Sequence, residues 1–135
     1  TFWPADARGR AQVRALAMAV ACDIHPLCNL RVLQWLESGF GASDEQRADW
    51  SRHWMAVGFH AIEAQLVDSD AAGRYCHGDT PTMADACLIP QVYNAIRWKL
   101  PMDDYPTIAR IYRTCSELEA FRNAAPEAQP DAPQS

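Results

Sequence analysis

The chain has 135 residues, 49% hydrophobic and 21% charged, enough for one domain with a sizeable core. Its net charge is −5 and 11 of its 12 basic residues are arginine, a balance that argues against nonspecific nucleic-acid binding but leaves room for one cationic pocket for a small acidic ligand. No apolar run approaches the roughly 20 residues needed to span a bilayer. No signal-peptide pattern opens the chain, and its first residue is Thr1 rather than Met. That start reads as a processed piece or an excised domain. The five cysteines, Cys22, Cys28, Cys76, Cys87 and Cys115, are widely spaced with no C-x-x-C pair. They therefore indicate no metal site and no redox pair. A reducing, cytoplasmic compartment is the simplest reading.

In chain order, a first long helix is predicted from about Ala5 to about Leu36, with Val13, Leu16, Val20, Ile24 and Leu27 on one apolar face. Pro26 removes a backbone donor and displaces the Cys22 carbonyl, so a kink is predicted there. Ser38-Gly39-Phe40-Gly41 ends the helix. A second long helix starts at Ser43 or Asp44 and carries Trp50, Trp54, Val57, Ala61, Ile62 and Leu66 on one side. It stops before Asp70-Ala71-Ala72-Gly73. Residues 74 to 81 form a loop with a turn at Gly78-Asp79.

Thr82 then stands as a helix N-cap with Asp85 three residues on, the spacing of a capping box. The helix from Thr82 to about Trp98 is apolar on most sides and reads as the buried central helix, bent at Pro90. A fourth helix begins at Pro106 and turns Ile108, Ile111, Tyr112 and Cys115 inward. A short last helix spans about Leu118 to Arg122. The prediction is an all-α bundle of about five helices over residues 1–125. A Pro-rich tail over 126–135 is extended or disordered unless something docks it.

Three residues are candidates for ligand binding. Arg97 ends the apolar central helix; it either snorkels to water or lines a pocket, where its planar fork of donors matches a carboxylate. His25 and Asn29 lie four residues apart across the Pro26 kink and share a face. They either meet a ligand in the concavity that the kink opens or serve as local polar residues. His53 and His60 lie roughly 10 Å apart along a helix, too far for one metal, and Cys76-His77 lacks a third activating group. No metal cluster, phosphate loop or self-sufficient catalytic set is present in the sequence.

The run Gly78-Asp79-Thr80-Pro81-Thr82-Met83-Ala84-Asp85, followed by Leu88-Ile89-Pro90-Gln91-Val92-Tyr93-Asn94-Ala95 and Arg97, resembles the zeta-class glutathione transferases, among them the maleylacetoacetate and maleylpyruvate isomerases. Asp23-Ile24-His25-Pro26-Leu27-Cys28-Asn29-Leu30 resembles that family's kinked helix. Tyr105-Pro106-Thr107-Ile108 resembles a helix start, and residues 125–131 resemble its tail. The G-D-x-x-T-x-A-D helix start is shared across many glutathione transferases; the P-Q-V-x-N-A-x-R run and the tail narrow the resemblance to the zeta class. It covers nearly the whole chain but only the family's C-terminal helical domain.

The resemblance implies a cytoplasmic, homodimeric enzyme of aromatic amino acid catabolism. An N-terminal thioredoxin-like domain, absent from this chain, holds most of the glutathione and activates its thiol. The reaction implied is isomerisation of a maleyl diacid to its fumaryl isomer, by thiolate addition, bond rotation and elimination. Arg97 then corresponds to the arginine on a substrate carboxylate, and His25 and Asn29 to positions facing the glutathione and substrate cleft. No metal, nucleic-acid or membrane partner is implied, and no catalytic residue is identifiable in this chain. Two competing readings remain. One is a non-catalytic helical module for protein association, using a Trp3, Trp50 or Trp54 patch. The other is a transferase of a different class that conjugates glutathione to electrophiles.

Overall fold

Asp6 opens the first helix: its carboxylate accepts the Gly9 N–H at 2.7 Å. Helix α1 then runs Ala7–Met18 in a computed structural model that describes residues 2–132. The predicted first long helix is divided. After α1 the backbone widens to a π-helical segment, Ala19–Ile24, and tightens to a 3₁₀ turn, His25–Cys28. Asn29 is then extended, at φ −67° and ψ 145°, and caps α2, Leu30–Phe40, by accepting the Arg31 N–H at 3.1 Å. Pro26 therefore contributes to a full break three residues on, not just a kink. Val13, Leu16, Val20 and Ile24 are buried as the spacing predicts, but the next buried residue is Cys28, with Leu27 half-buried. Helix α2 ends at Gly41, whose φ of +68° is a left-handed C-cap that favours glycine.

The stretch 7–40 also corrects the statement about bilayer spans, because by length and composition it is apolar enough to cross one. Its interruption at Asn29 and its buried inner face make it a wall of the bundle core.

Helix α3, Asp44–Val67, starts at the predicted Ser43 with a capping box to Gln46. Its buried face differs from the expected one. Ser51, Met55, Phe59, Ile62, Glu63 and Leu66 are buried, whereas Val57 and Ala61 are exposed and Trp50 and Trp54 half-buried. The polar members of this face are satisfied internally. Ser51 Oγ donates to the Arg47 carbonyl at 3.0 Å. The Glu63 carboxylate accepts the N–H groups of Thr107 and Ile108 at 2.8 and 2.9 Å, so α3 caps α5, Pro106–Ser116. Trp3, Trp50 and Trp54 are half-buried against the bundle, whereas Trp35 is exposed. Trp50 Nε1 donates to the Leu27 carbonyl at 2.8 Å, and Trp3 lies under the Arg14 guanidinium.

Helix α4, Met83–Arg97, is the central helix, packed on α1 and α5 with Ala84, Leu88, Ile89, Val92 and Ala95 buried. The Asp85 carboxylate, fully buried, anchors its start by accepting the Thr82 N–H at 2.7 Å, the Thr82 hydroxyl at 2.8 Å and the Cys76 N–H at 2.9 Å. The chain closes with α6, Glu119–Ala124, and a 3₁₀ turn, Pro126–Ala128. The first part of the tail is therefore docked, with the Tyr93 hydroxyl donating to the Glu127 carboxylate; residues 133–135 of the predicted tail lie outside the described residues. The described residues form an all-α fold of six helices, one more than expected because the first divides at Asn29.

Gly58 allows α3 to approach the π segment. A Cβ placed there would lie 2.2 Å from Ile24 Cγ1. Gly58→Ala is therefore expected to cost about 1–3 kcal/mol of stability, read in urea unfolding, and to push the His25–Asn29 segment outward.

Candidate functional site

The break in the first long helix creates a cleft. The π segment and 3₁₀ turn on one side and the middle of α4 on the other enclose a cavity of about 580 Å³. His25, Cys28 and Asn29 line it from one wall, and Cys87, Pro90, Gln91 and Asn94 from the other. The structure thus brings His25 and Asn29 together. His25 is exposed and its imidazole makes no hydrogen bond among the described residues. Asn29 spends its Oδ1 on the cap of α2, which leaves its NH₂ group available to the cleft.

Arg97 is not in this lining. It sits on the last turn of α4, exposed, one turn beyond Asn94 and four residues beyond Tyr93. Among the described residues its guanidinium makes no ion pair and no hydrogen bond, and its electrostatic neighbour is Tyr93. A cation at a helix C-terminus is favoured by the helix dipole. The carbonyls at this end are also served by Arg52, which reaches Trp98 O at 3.3 Å. Arg97 is therefore an uncommitted positive charge at the open end of the α4 face that carries Pro90 and Asn94.

Gln91 was not singled out by sequence reasoning. It is 3% exposed, its Nε2 is enclosed, and neither end of its amide has a hydrogen-bond partner among the described residues. The only sequence signal was a polar residue on an otherwise apolar helical face. Asn94 is nearly as free, its Nδ2 lying 4.0 Å from Met55 Sδ.

The cleft holds two thiols. Burial pushes Cys28 up to about 11 and raises Cys87 as well. Both are protonated at neutral pH and are poor nucleophiles. Cys76, beside His77, is also raised, by burial first and by the Asp85 carboxylate second. No group of three or more metal-ligating side chains occurs among the described residues. The walls thus offer neutral amides, one imidazole and no reactive thiolate, a donor set suited to holding a polar ligand rather than attacking it.

Two other cavities differ in chemistry. A groove of about 680 Å³ beside α1 and the end of α3 is lined by Asp6, Asp68 and Asp70 with Arg8 and His77, a predominantly acidic lining that repels a diacid. A cavity of about 500 Å³ on the far side of Pro90 is lined by Ile89, Tyr93, Tyr112, Phe121 and Pro126, with the docked tail as one wall.

No family model matches the chain. It is 50% identical over 129 residues to the maleylpyruvate isomerase of a Ralstonia species, covering 96% of this chain and 61% of that protein. Among solved structures, a holo maleylpyruvate isomerase described as a bacterial zeta-class glutathione S-transferase superposes with a TM-score of 0.97 at 48% identity, covering 98% of this chain and 63% of that one. The maleylpyruvate isomerase of Pseudomonas aeruginosa PAO1 superposes with a TM-score of 0.93 at 40% identity, covering 98% of this chain and 69% of that one. A further relative, the maleylacetoacetate isomerase of Anaeromyxobacter dehalogenans 2CP-1 (TM-score 0.91, 41% identity, 98% and 58% covered), holds dicarboxyethyl glutathione and citrate in its active site. The chain spans about 60% of the length of the curated relatives it matches. It superposes on the solved relatives over 98% of its length and belongs to the zeta-class glutathione transferases, matching their C-terminal helical domain.

Proposed function

We propose that this chain is the substrate-side half of a glutathione-dependent cis–trans isomerase that converts a maleyl diacid, maleylpyruvate or maleylacetoacetate, to its fumaryl isomer. The observation that carries the reading is the cleft between the broken helix and α4, lined by unspent polar side chains and bordered by an unpaired arginine, in a chain whose relatives are such isomerases. Glutathione, when bound, supplies the thiolate for reversible addition to the double bond. The two thiols that line the cleft, Cys28 and Cys87, are raised by burial, which supports a thiolate brought from elsewhere.

In this reading Arg97 holds a carboxylate of the diacid through its planar fork. The His25 imidazole and the Asn29 NH₂ group orient the peptide and substrate from the opposite wall. The apolar flank of α4 keeps water off the double bond and strengthens the pull of Arg97 on an anion. The exposure of Arg97 fits a cleft completed by an N-terminal thioredoxin-like domain of the same protein. We extend the reading to a homodimer acting in the cytoplasm in aromatic catabolism; the five free cysteines are in keeping with a reducing compartment. The association-module reading is disfavoured because Trp50 and Trp54 are packed against the bundle rather than displayed.

The test is a spectrophotometric assay of the protein as its gene encodes it, with maleylpyruvate and with or without glutathione. Conversion to the fumaryl isomer only with glutathione is expected. Conjugation of general electrophiles without isomerisation would overturn the reading.

A further inference from the structure

Gln91 is the one buried polar side chain whose donor goes unmet among the described residues. Leaving such a group unpaired is costly, and folded proteins retain few of them. Its neighbours show that the fold otherwise satisfies its polar groups. Asp85, six residues earlier on the same helix, meets three donors. Glu63 meets two backbone N–H groups with its two oxygens. Gln91 differs from both in lining the cleft, opposite His25 and Asn29.

We propose that the Gln91 side-chain amide is a positioning residue that donates its Nε2–H to a carboxylate oxygen of the ligand seated in this cleft. The inference rests on the isomerase reading given above. The last torsion of a glutamine side chain is soft, so the enclosed Nε2 can turn toward the cavity that the residue lines. The amide is neutral and comes from the buried wall, whereas Arg97 stands at the exposed end of α4. Together they offer a carboxylate-bearing ligand a deep neutral donor and an outer cationic one. An unpartnered donor inside the wall also favours an oxygen-rich ligand over an apolar one, because only the former removes the cost of the unmet N–H. The carboxylate belongs either to glutathione or to the diacid, and the experiment separates them.

The test compares Gln91→Met with wild type in the protein as encoded, measuring melting temperature, glutathione Kd, KM and kcat for maleylpyruvate, and the Kd of malonate as a plain dicarboxylate probe. Met matches the shape of Gln and removes the unmet donor. The expected result is an unchanged or higher melting temperature with carboxylate binding weakened roughly 5- to 30-fold. A loss confined to glutathione assigns its carboxylate, and a loss confined to malonate and KM assigns the diacid. Unchanged constants for all three ligands overturn the proposal while leaving the isomerase reading intact. Malonate binding that depends on Gln91 in a protein without isomerase activity upholds it and overturns that reading. A wild-type protein that binds none of the three overturns both. Should Gln91→Met not fold, the side-chain NH₂ resonances of Gln91 in the wild-type protein supply the readout. A downfield shift on saturation with malonate or glutathione is expected, and no shift with either overturns the proposal.

Discussion

Replacing Asp85 by alanine is expected to destabilise the fold by about 3–5 kcal/mol. The carboxylate is fully buried and accepts three hydrogen bonds, two from backbone N–H groups and one from the Thr82 hydroxyl. Hydrogen bonds to a charged acceptor contribute more than neutral ones, and alanine leaves both N–H groups buried without a partner. The damage is not confined to the start of α4, because the Cys76 N–H ties the loop over residues 74–81 to the same oxygen pair. Asp85→Asn keeps one acceptor but turns an NH₂ group toward donors, so an intermediate loss is expected. Urea unfolding of the two variants beside wild type provides the measurement. A loss below about 1 kcal/mol for alanine would show that water replaces the carboxylate and that the cap is dispensable.

Arg97→Ala in the encoded protein is expected to raise KM for a maleyl diacid roughly 10- to 100-fold, while the glutathione Kd changes by less than about twofold. The guanidinium has no ion pair or hydrogen bond among the described residues, so its removal breaks nothing in the fold. Unchanged stability with a raised KM is the signature of a ligand-holding group rather than a structural one. Arg97→Lys retains the charge but not the planar fork, and part of the loss is expected to remain. KM and glutathione Kd both at wild-type values would remove Arg97 from the site.

Much of the fold could be read from local chemistry. Ser43 with Gln46, Thr82 with Asp85 and Pro106 each mark a helix start that the structure contains, because capping is decided within four residues. The inner faces of α1 and α5 followed from apolar spacing. The face of α3 did not, since Trp50 and Trp54 carry the apolar bulk while Ser51 and Glu63 hold buried positions through bonds to Arg47 and to the start of α5. That exchange is tertiary and leaves no periodic signal. The division at Asn29 was read only as a kink because Pro26 draws attention to itself, while the preceding π segment shifts the register without any breaker residue.

In the site, His25 and Asn29 were legible as a pair across the proline, and the structure places them on one cleft wall. Gln91 was hidden because a polar residue on an apolar helix is noticed only when its missing partner is seen. Arg97 was legible as a charge at the end of the central helix, but its position outside the cavity lining depends on where α4 ends, at Trp98 and the left-handed Lys99.

In the isomerase reading a dicarboxylate sits beside glutathione in the cleft between the broken helix and α4. The most direct measurement is a crystal structure of the encoded protein with glutathione and malonate. A malonate carboxylate within ion-pair distance of Arg97 is expected, with the ligands between the His25–Asn29 wall and Gln91. Malonate found elsewhere, with Arg97 turned to solvent and the cleft filled only by water, would contradict it.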